Sequence, residues 1–249
     1  MSETVVEAMR VTKQYRRGKI PVSALNGIDM KVRRAEIVGV IGPSGSGKST
    51  LLNLIGGLDR PSGGKVLVDG ADVGQMNESQ LAEYRLRKVG FVFQFYNLIS
   101  TLTALQNVMV PMGFAGLKKE DQDSKARRLL AVVGLEERLH HMPDEMSGGE
   151  QQRVAVARAL ANGPSVVLAD EPTGDLDSKA AKRLMELIKS LRDDERVTFM
   201  VVTHDPIVIA QCDRAYALRD GKVTHELTSK ELGDAMLSDK FNRALDGIY

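Results

Sequence analysis

The stretch Gly42-Pro43-Ser44-Gly45-Ser46-Gly47-Lys48-Ser49-Thr50 decides the fold, because it fits G-x-x-x-x-G-K-[ST], a backbone loop that cradles phosphates. With ordinary residue usage the bare pattern arises by accident in about one chain in a hundred of this length. Its flanks make accident rarer still. Glu36 to Ile41 reads as a buried parallel strand, and Ser49 to Ile55 opens an apolar helix, which is where such a loop belongs. Glycines at 42, 45 and 47 let the backbone turn its N–H groups inward as an anion nest. Lys48 supplies a point charge for the outer phosphates and Ser49 a hydroxyl for magnesium, with Ser44, Ser46 and Thr50 completing the nucleotide contacts. An ordinary Gly/Ser turn is the bland alternative.

A carboxylate-bearing strand is predicted at Val166-Val167-Leu168-Ala169-Asp170-Glu171, a short apolar run that delivers two acids to the edge of a parallel sheet. Asp170 would hold magnesium and Glu171 would orient and deprotonate the attacking water, because phosphoryl transfer asks mainly for positioning and charge stabilisation. Alone, the pair could be a solvated start to a loop. A third segment, Met146-Ser147-Gly148-Gly149-Glu150-Gln151-Gln152-Arg153, sets a serine and two glycines before a helix. Ser147 and Glu150 form a capping-box pattern, and apolar residues at 154, 156, 157 and 160 continue it. A capped helix start also presents unpaired N–H groups and a positive dipole end to an anion.

Taken in order, these motifs resemble the ATP-binding cassette (ABC) ATPase family over nearly the whole chain. The resemblance implies that Tyr15 stacks on adenine, that Gln94 senses magnesium and links to the transporter, and that Ser147-Gly148-Gly149 is the signature. It makes Asp170 and Glu171 the Walker B pair, Gly174-Asp175-Leu176-Asp177 the D-loop, and His204 the switch histidine at the terminal phosphate. It also implies ATP and Mg2+ as cofactors, and a homodimer on ATP binding in which each nucleotide lies between the loop of one copy and the signature of the other. Plain alternatives stay open: Tyr15 as a strand aromatic, Gln94 as a strand end, and His204 as a hydrogen-bonded surface group. The commonest family form has Leu and Gln where this chain has Met146 and Glu150. Glu150-Gln151-Gln152-Arg153 resembles the branch containing lipoprotein-releasing, macrolide-efflux and cell-division cassettes, and no phosphate contact is assigned to residue 150.

Composition agrees with a cytoplasmic enzyme. The 249 residues are 43% hydrophobic, enough for a substantial core, and a net charge of +1 leaves no electrostatic footprint for nucleic acid. The cluster Arg16, Arg17, Lys19 reads as a solvated turn. Cys212 is alone, so no internal disulfide or cysteine zinc site is available. No run of eighteen apolar residues is present, and MSETVVEAMR lacks a basic start followed by an apolar stretch. The family resemblance, rather than composition, implies that the chain sits on the cytoplasmic face of the cell membrane, held by integral membrane permease subunits.

The fold class expected is α/β, a P-loop NTPase core of ABC ATPase type with an antiparallel β lobe and a helical lobe. Residues 1–249 read as one domain. Strands near Val5 to Tyr15, Ala24 to Val32 and Lys65 to Val68 would make the β lobe; the helical lobe would span approximately 95–160, with Ala126, Leu129, Leu130 and Val133 on one face. Leu184, Leu187, Ile188 and Leu191 mark another helix, and approximately 228–249 reads as a short helical extension. Only residues 95–146 separate Gln94 from Ser147, which disfavours coiled-coil repair and chromosome ATPases, and single motif copies disfavour ribosome-acting relatives. Tyr96 to Thr103 resembles the efflux and lipoprotein-release branch, with Phe95, Tyr96 and Leu98 as candidates for contact with a partner's cytoplasmic helix. The alternative is a division or regulatory ATPase that transmits force to a membrane partner without moving a substrate.

Overall fold

The structure, a computed structural model, describes residues 4–18 and 20–235. In chain order the strands and helices are β1 (Thr4–Arg17), β2 (Ile20–Arg33), β3 (Ile37–Ile41), α1 (Lys48–Ile55), β4 (Gly63–Val68), β5 (Ala71–Asp72), α2 (Glu78–Lys88) and β6 (Val89–Phe93). They continue with α3 (Ala104–Phe114), α4 (Lys119–Val132), α5 (Gly148–Ala159), β7 (Val166–Asp170), α6 (Ser178–Asp194) and β8 (Phe199–Val202). The described part closes with α7 (Pro206–Ile209), β9 (Arg214–Arg219), β10 (Lys222–Thr228) and α8 (Ser229–Ala235).

The central sheet has the order β10-β9-β3-β8-β7-β6, with β9, β3, β8, β7 and β6 parallel and β10 antiparallel at the edge. All five residues of β3 and all four of β8 are buried, because the sheet is covered on both faces. Strand alternation sends their side chains to two different cores. Ile37, Ile41, Val167, Phe199 and Val201 pack with α3 to α6, whereas Val38, Val40, Leu168, Met200 and Val202 pack with α1 and the second sheet. That second sheet, β2-β1-β4-β5, is wholly antiparallel.

The helices follow their apolar spacing and their caps. Thr103 and Gln106 form a capping box ahead of α3, Ser147 and Glu150 ahead of α5, and Asp177 caps α6. On α6 the buried face is Ala181, Leu184, Met185, Ile188 and Leu191; the expected Leu187 is only partly buried, since it lies at the margin of that stripe. Several elements went unread in the sequence: the short β5 and α7; α2, announced by the capping box of Asn77 and Gln80; and the β9–β10 hairpin, whose Asp220-Gly221 turn has φ of 51° and 73°. Of the expected C-terminal extension, α8 lies within the described residues; 236–249 lie outside them, as does Lys19 of the basic turn.

Candidate functional site

The loop between β3 and α1 is built from positions that reject side chains. Gly42 has φ 151°, and a Cβ there would lie 2.1 Å from Leu218 O; Gly47 has φ 103°, with its Cβ position 2.6 Å from Ala24 O. Both clashes are with backbone carbonyls, which cannot swing aside. The bare loop borders an open cleft of ≈ 530 Å³, lined by Gly42, Ser44, Gly45, Gly47, Lys48, Ser49 and Thr50 on one side and Gln94, Asp170, Glu171 and His204 on the other. Ala24 and Val202 complete the wall. β6, β7 and β8 deliver Gln94, Asp170, Glu171 and His204 at or just beyond their carboxyl ends, where parallel sheets place ligands.

Within the cleft Lys48 Nζ donates to Gly42 O at 2.7 Å and Pro43 O at 2.9 Å. Burial lowers its proton affinity, against the opposing pull of Glu171 and Asp170. Ser49 Oγ donates to Asp170 Oδ1 at 3.4 Å. Burial raises the Asp170 pKa, the hydroxyl of Ser49 opposes this, and the charge of Glu171 reinforces it. A half-buried carboxylate held in this way gains from a cation. Among the described residues no group of three or more His, Cys, Asp or Glu side chains could hold a metal alone. A hydroxyl beside one carboxylate fits magnesium, which takes one or two protein ligands and completes its shell from phosphate and water.

Glu171 follows β7 with φ 46°, a left-handed conformation that costs a non-glycine residue about 1–3 kcal/mol. Its N–H donates to Val202 O at 2.9 Å, its C=O accepts from Gly174 N at 3.0 Å, and its Oε1 is 2.8 Å from His204 Nδ1. The carboxylate lines the cleft beside the histidine. Gln94 Nε2 donates to Asp175 Oδ1 at 3.4 Å, and Gly174 leaves room for that amide, since a Cβ would meet it at 2.9 Å.

Other expected residues lie outside the cleft. Ser46 is buried, its Oγ has no hydrogen-bond partner, and its N–H donates to Pro43 O at 3.2 Å. Tyr15 does not line the cleft; it is 40% exposed, with its hydroxyl donating to Asp59 Oδ2 at 2.9 Å and the Lys13 ammonium 4.9 Å from its ring centre. Burial and Asp59 raise its pKa, while Thr50 opposes them. Sequence reasoning missed Lys13 and Asp59, which pair at 2.5 Å. No short motif announces a pair that distant in the chain.

Ser147, Gly148, Gly149 and Asp177 border a second hollow of ≈ 380 Å³ that shares no lining residue with the first and carries both bases, Arg153, Lys179 and Arg183, and acids, Glu150 and Asp175. There Ser147 N–H and Oγ each donate to Glu150 Oε2 at 2.8 Å, and Arg138 Nε donates to Glu150 Oε1 at 3.0 Å. These bonds, the Ser147 N–H first, pull the Glu150 pKa down to about 2. The carboxylate at 150 is thus committed to its helix cap and to Arg138. Asp177 is likewise occupied, accepting from Ala180 N at 2.8 Å. Of the three candidates for partner contact, Phe95 is 72% exposed, Leu98 packs against the core, and the Tyr96 hydroxyl lies 2.6 Å from where a Gly148 Cβ would be.

A phosphate-binding loop on a parallel sheet, faced by a carboxylate and a histidine and accompanied by a separately capped signature helix, defines a P-loop ATPase of the cassette class. The family model described as "ABC transporter" matches residues 25–174, and the chain belongs to that family. It is 49% identical, over 88% of its length and 93% of the relative's, to an "Uncharacterized ABC transporter ATP-binding protein" of Thermotoga maritima. It is 44% identical, over 90% of its length and 95% of the relative's, to "Lipoprotein-releasing system ATP-binding protein LolD" of Chromohalobacter salexigens. Identity is 43% to "Macrolide export ATP-binding/permease protein MacB" of Salmonella choleraesuis, over 91% of this chain but only 35% of that longer protein. Among solved structures, a dimeric ATP-binding cassette in a post-hydrolysis state bound to ADP and Pi superposes with TM-score 0.82 at 42% identity, covering 90% of this chain and 98% of that one. The resemblance and branch drawn from the motifs are borne out, and the α/β cassette fold with them. The chain is an ATP-binding, ATP-hydrolysing subunit of a membrane ABC transporter, in a family whose relatives support a dimer and membrane partners. Among the described residues no helix is long and apolar enough to cross a membrane.

Proposed function

We propose that this chain powers export across, or lipoprotein extraction from, a cell membrane, working as an ATP-sandwich dimer on the cytoplasmic face beneath integral permease subunits, with no role for nucleic acid. The observation that carries the reading is the separation of the two hollows. One copy brings Lys48, Ser49, Asp170, Glu171 and His204 to one cleft and holds Ser147, Gly148 and Gly149 in another. A head-to-tail pair closes each cleft with the partner's capped helix start, whose N–H groups and dipole face the terminal phosphate. The relatives named for lipoprotein release and macrolide export support the direction of transport.

In this reading Tyr15 stacks on the base, the N–H groups of residues 42–50 wrap the phosphates, and Lys48 leaves its loop carbonyls for the outer phosphates. Ser49, Asp170 and Gln94 would hold magnesium, which supplies charge neutralisation across the outer phosphates. Glu171 takes a proton from the attacking water, and His204 fixes the carboxylate and contacts the terminal phosphate. Asp177 belongs to the dimer contact beside the signature. The whole chain acts as one domain.

The test is the size of the complex with Mg-ATP. Glu171→Gln is expected to bind ATP and elute as a dimer, and adding Ser147→Arg is expected to return it to monomer with the cleft still loaded. A Glu171→Gln protein that stays monomeric at saturating ATP, or a double variant that still pairs, refutes the composite site.

A further inference from the structure

Gln152 lies on the inner face of α5 with no exposed surface, one of few polar side chains so deeply placed among the described residues. Its Nε2 donates to Pro172 O at 2.6 Å and to Phe93 O at 3.3 Å, while Oε1 has no hydrogen-bond partner. Turning the amide over would press its oxygen onto two carbonyl oxygens, so this orientation is the one that bonding permits. An apolar side chain would pack there without an orphaned oxygen. What the amide adds is two donors aimed at two chosen carbonyls.

Those carbonyls flank the reactive pair. Phe93 immediately precedes Gln94, and Pro172 immediately follows Glu171. The β6–β7 ladder ends at the pairing of Phe93 with Asp170, and past that point the Gln152 amide bridges the two strand ends. The bridge falls beside Glu171 and its left-handed backbone, where a loosened chain would relax. The same helix grips the far side of Gln94 as well. Arg158 donates to Tyr96 O at 2.8 Å and Asn97 O at 2.5 Å, at two residues whose φ angles are 58° and 49°.

We propose that Gln152 is a positioning residue for ATP hydrolysis: by tying the ends of β6 and β7 to the helix that begins at Ser147, it fixes the Gln94 amide and the Glu171 carboxylate relative to each other. A shift of the signature end of α5 is then passed to both groups through one buried side chain. The inference rests on the catalytic reading of Gln94 and Glu171 given above.

The test is steady-state ATPase kinetics of the full chain carrying Gln152→Leu or Gln152→Glu. For Gln152→Leu, kcat is expected to fall about tenfold or more while KM and fluorescent-nucleotide affinity stay within about threefold, because the phosphate loop is untouched. Combined with Gln94→Ala, the losses in kcat are expected not to multiply. In Gln152→Glu a protonated carboxyl keeps one O–H donor for Pro172 O, so its kcat relative to wild type is expected to rise as pH falls from about 8 to about 6. A Gln152→Leu kcat within about twofold of wild type, or losses that multiply fully with Gln94→Ala, overturns the proposal. So does a parallel loss of kcat and nucleotide affinity. Should Gln152→Leu fail to melt cooperatively, Gln152→Glu decides alone, and a flat pH ratio overturns the idea. Failure of the catalytic reading itself shows elsewhere, as wild-type turnover in Glu171→Gln.

Discussion

Replacing Glu171 with Gln changes one oxygen to an NH2 and leaves the shape of the side chain. The amide oxygen can still meet His204 Nδ1 across the 2.8 Å contact, and the left-handed backbone at 171 bears the same strain for either residue. Lys48, the loop from Gly42 to Thr50 and the Asp170–Ser49 bond are untouched, so ATP affinity is expected to stay within about threefold. What is lost, on the proposed reading, is a base able to take the proton of the attacking water. General-base catalysis is worth about 10²–10⁴-fold, and the loss of one well-placed catalytic group about 2.7–4 kcal/mol, so kcat should drop by about 10²–10³. Phosphate release at saturating Mg-ATP measures kcat, and light scattering on the same sample measures the dimer. A variant that turns over within about threefold of wild type shows that Glu171 is not the base.

Gly42→Ala drives a Cβ to 2.1 Å from Leu218 O at φ 151°; a cost of about 2–3 kcal/mol should lower Tm by roughly 4–12 °C and abolish ATP binding, read by calorimetry and nucleotide titration. Tyr15→Ala removes the half-exposed ring outside the cleft, and a lost stacking contact of about 1–3 kcal/mol should raise KM for ATP about 5–150-fold with kcat little changed. Glu150 titrates at about 2 in the fold, below the ordinary carboxylate value of about 4.3, so the stability it contributes is complete at neutral pH and is lost as pH falls from about 4 toward 2. The difference in Tm between wild type and Glu150→Gln should therefore shrink across that interval; a constant difference would count against the capping box as its cause.

Much of the fold was readable because it repeats local rules. The apolar runs of β3, β7 and β8 carry their burial in their composition, and the capping box at Ser147 and Glu150 marks the start of α5 three residues apart in the chain. The Asp220-Gly221 turn and the Asn77–Gln80 cap were equally local signals and were missed for want of a strongly apolar stretch beside α2 or a motif beside β9. The support beneath the site was not readable at all. Lys13 with Asp59 under Tyr15, and Gln152 between Phe93 and Pro172, are partnerships across 46, 59 and 20 positions of chain.

By itself, then, the order of residues determined that a glycine loop leading into Lys48 would join a buried strand to an apolar helix, that Asp170 and Glu171 would arrive at the end of another buried strand, and that a capped helix would start at Ser147. These depend on backbone freedom, side-chain chemistry and short-range periodicity, which act between near neighbours. Only the tertiary structure decided that the glycine-loop cleft and Ser147-Gly148-Gly149 occupy different hollows of one copy, that Glu171 takes a left-handed backbone beside His204, and that Glu150 is held by Ser147 and Arg138. Such facts are set by how β6, β7, β8 and α5 pack against one another, and packing joins groups whose separation in the chain carries no record of their distance in space.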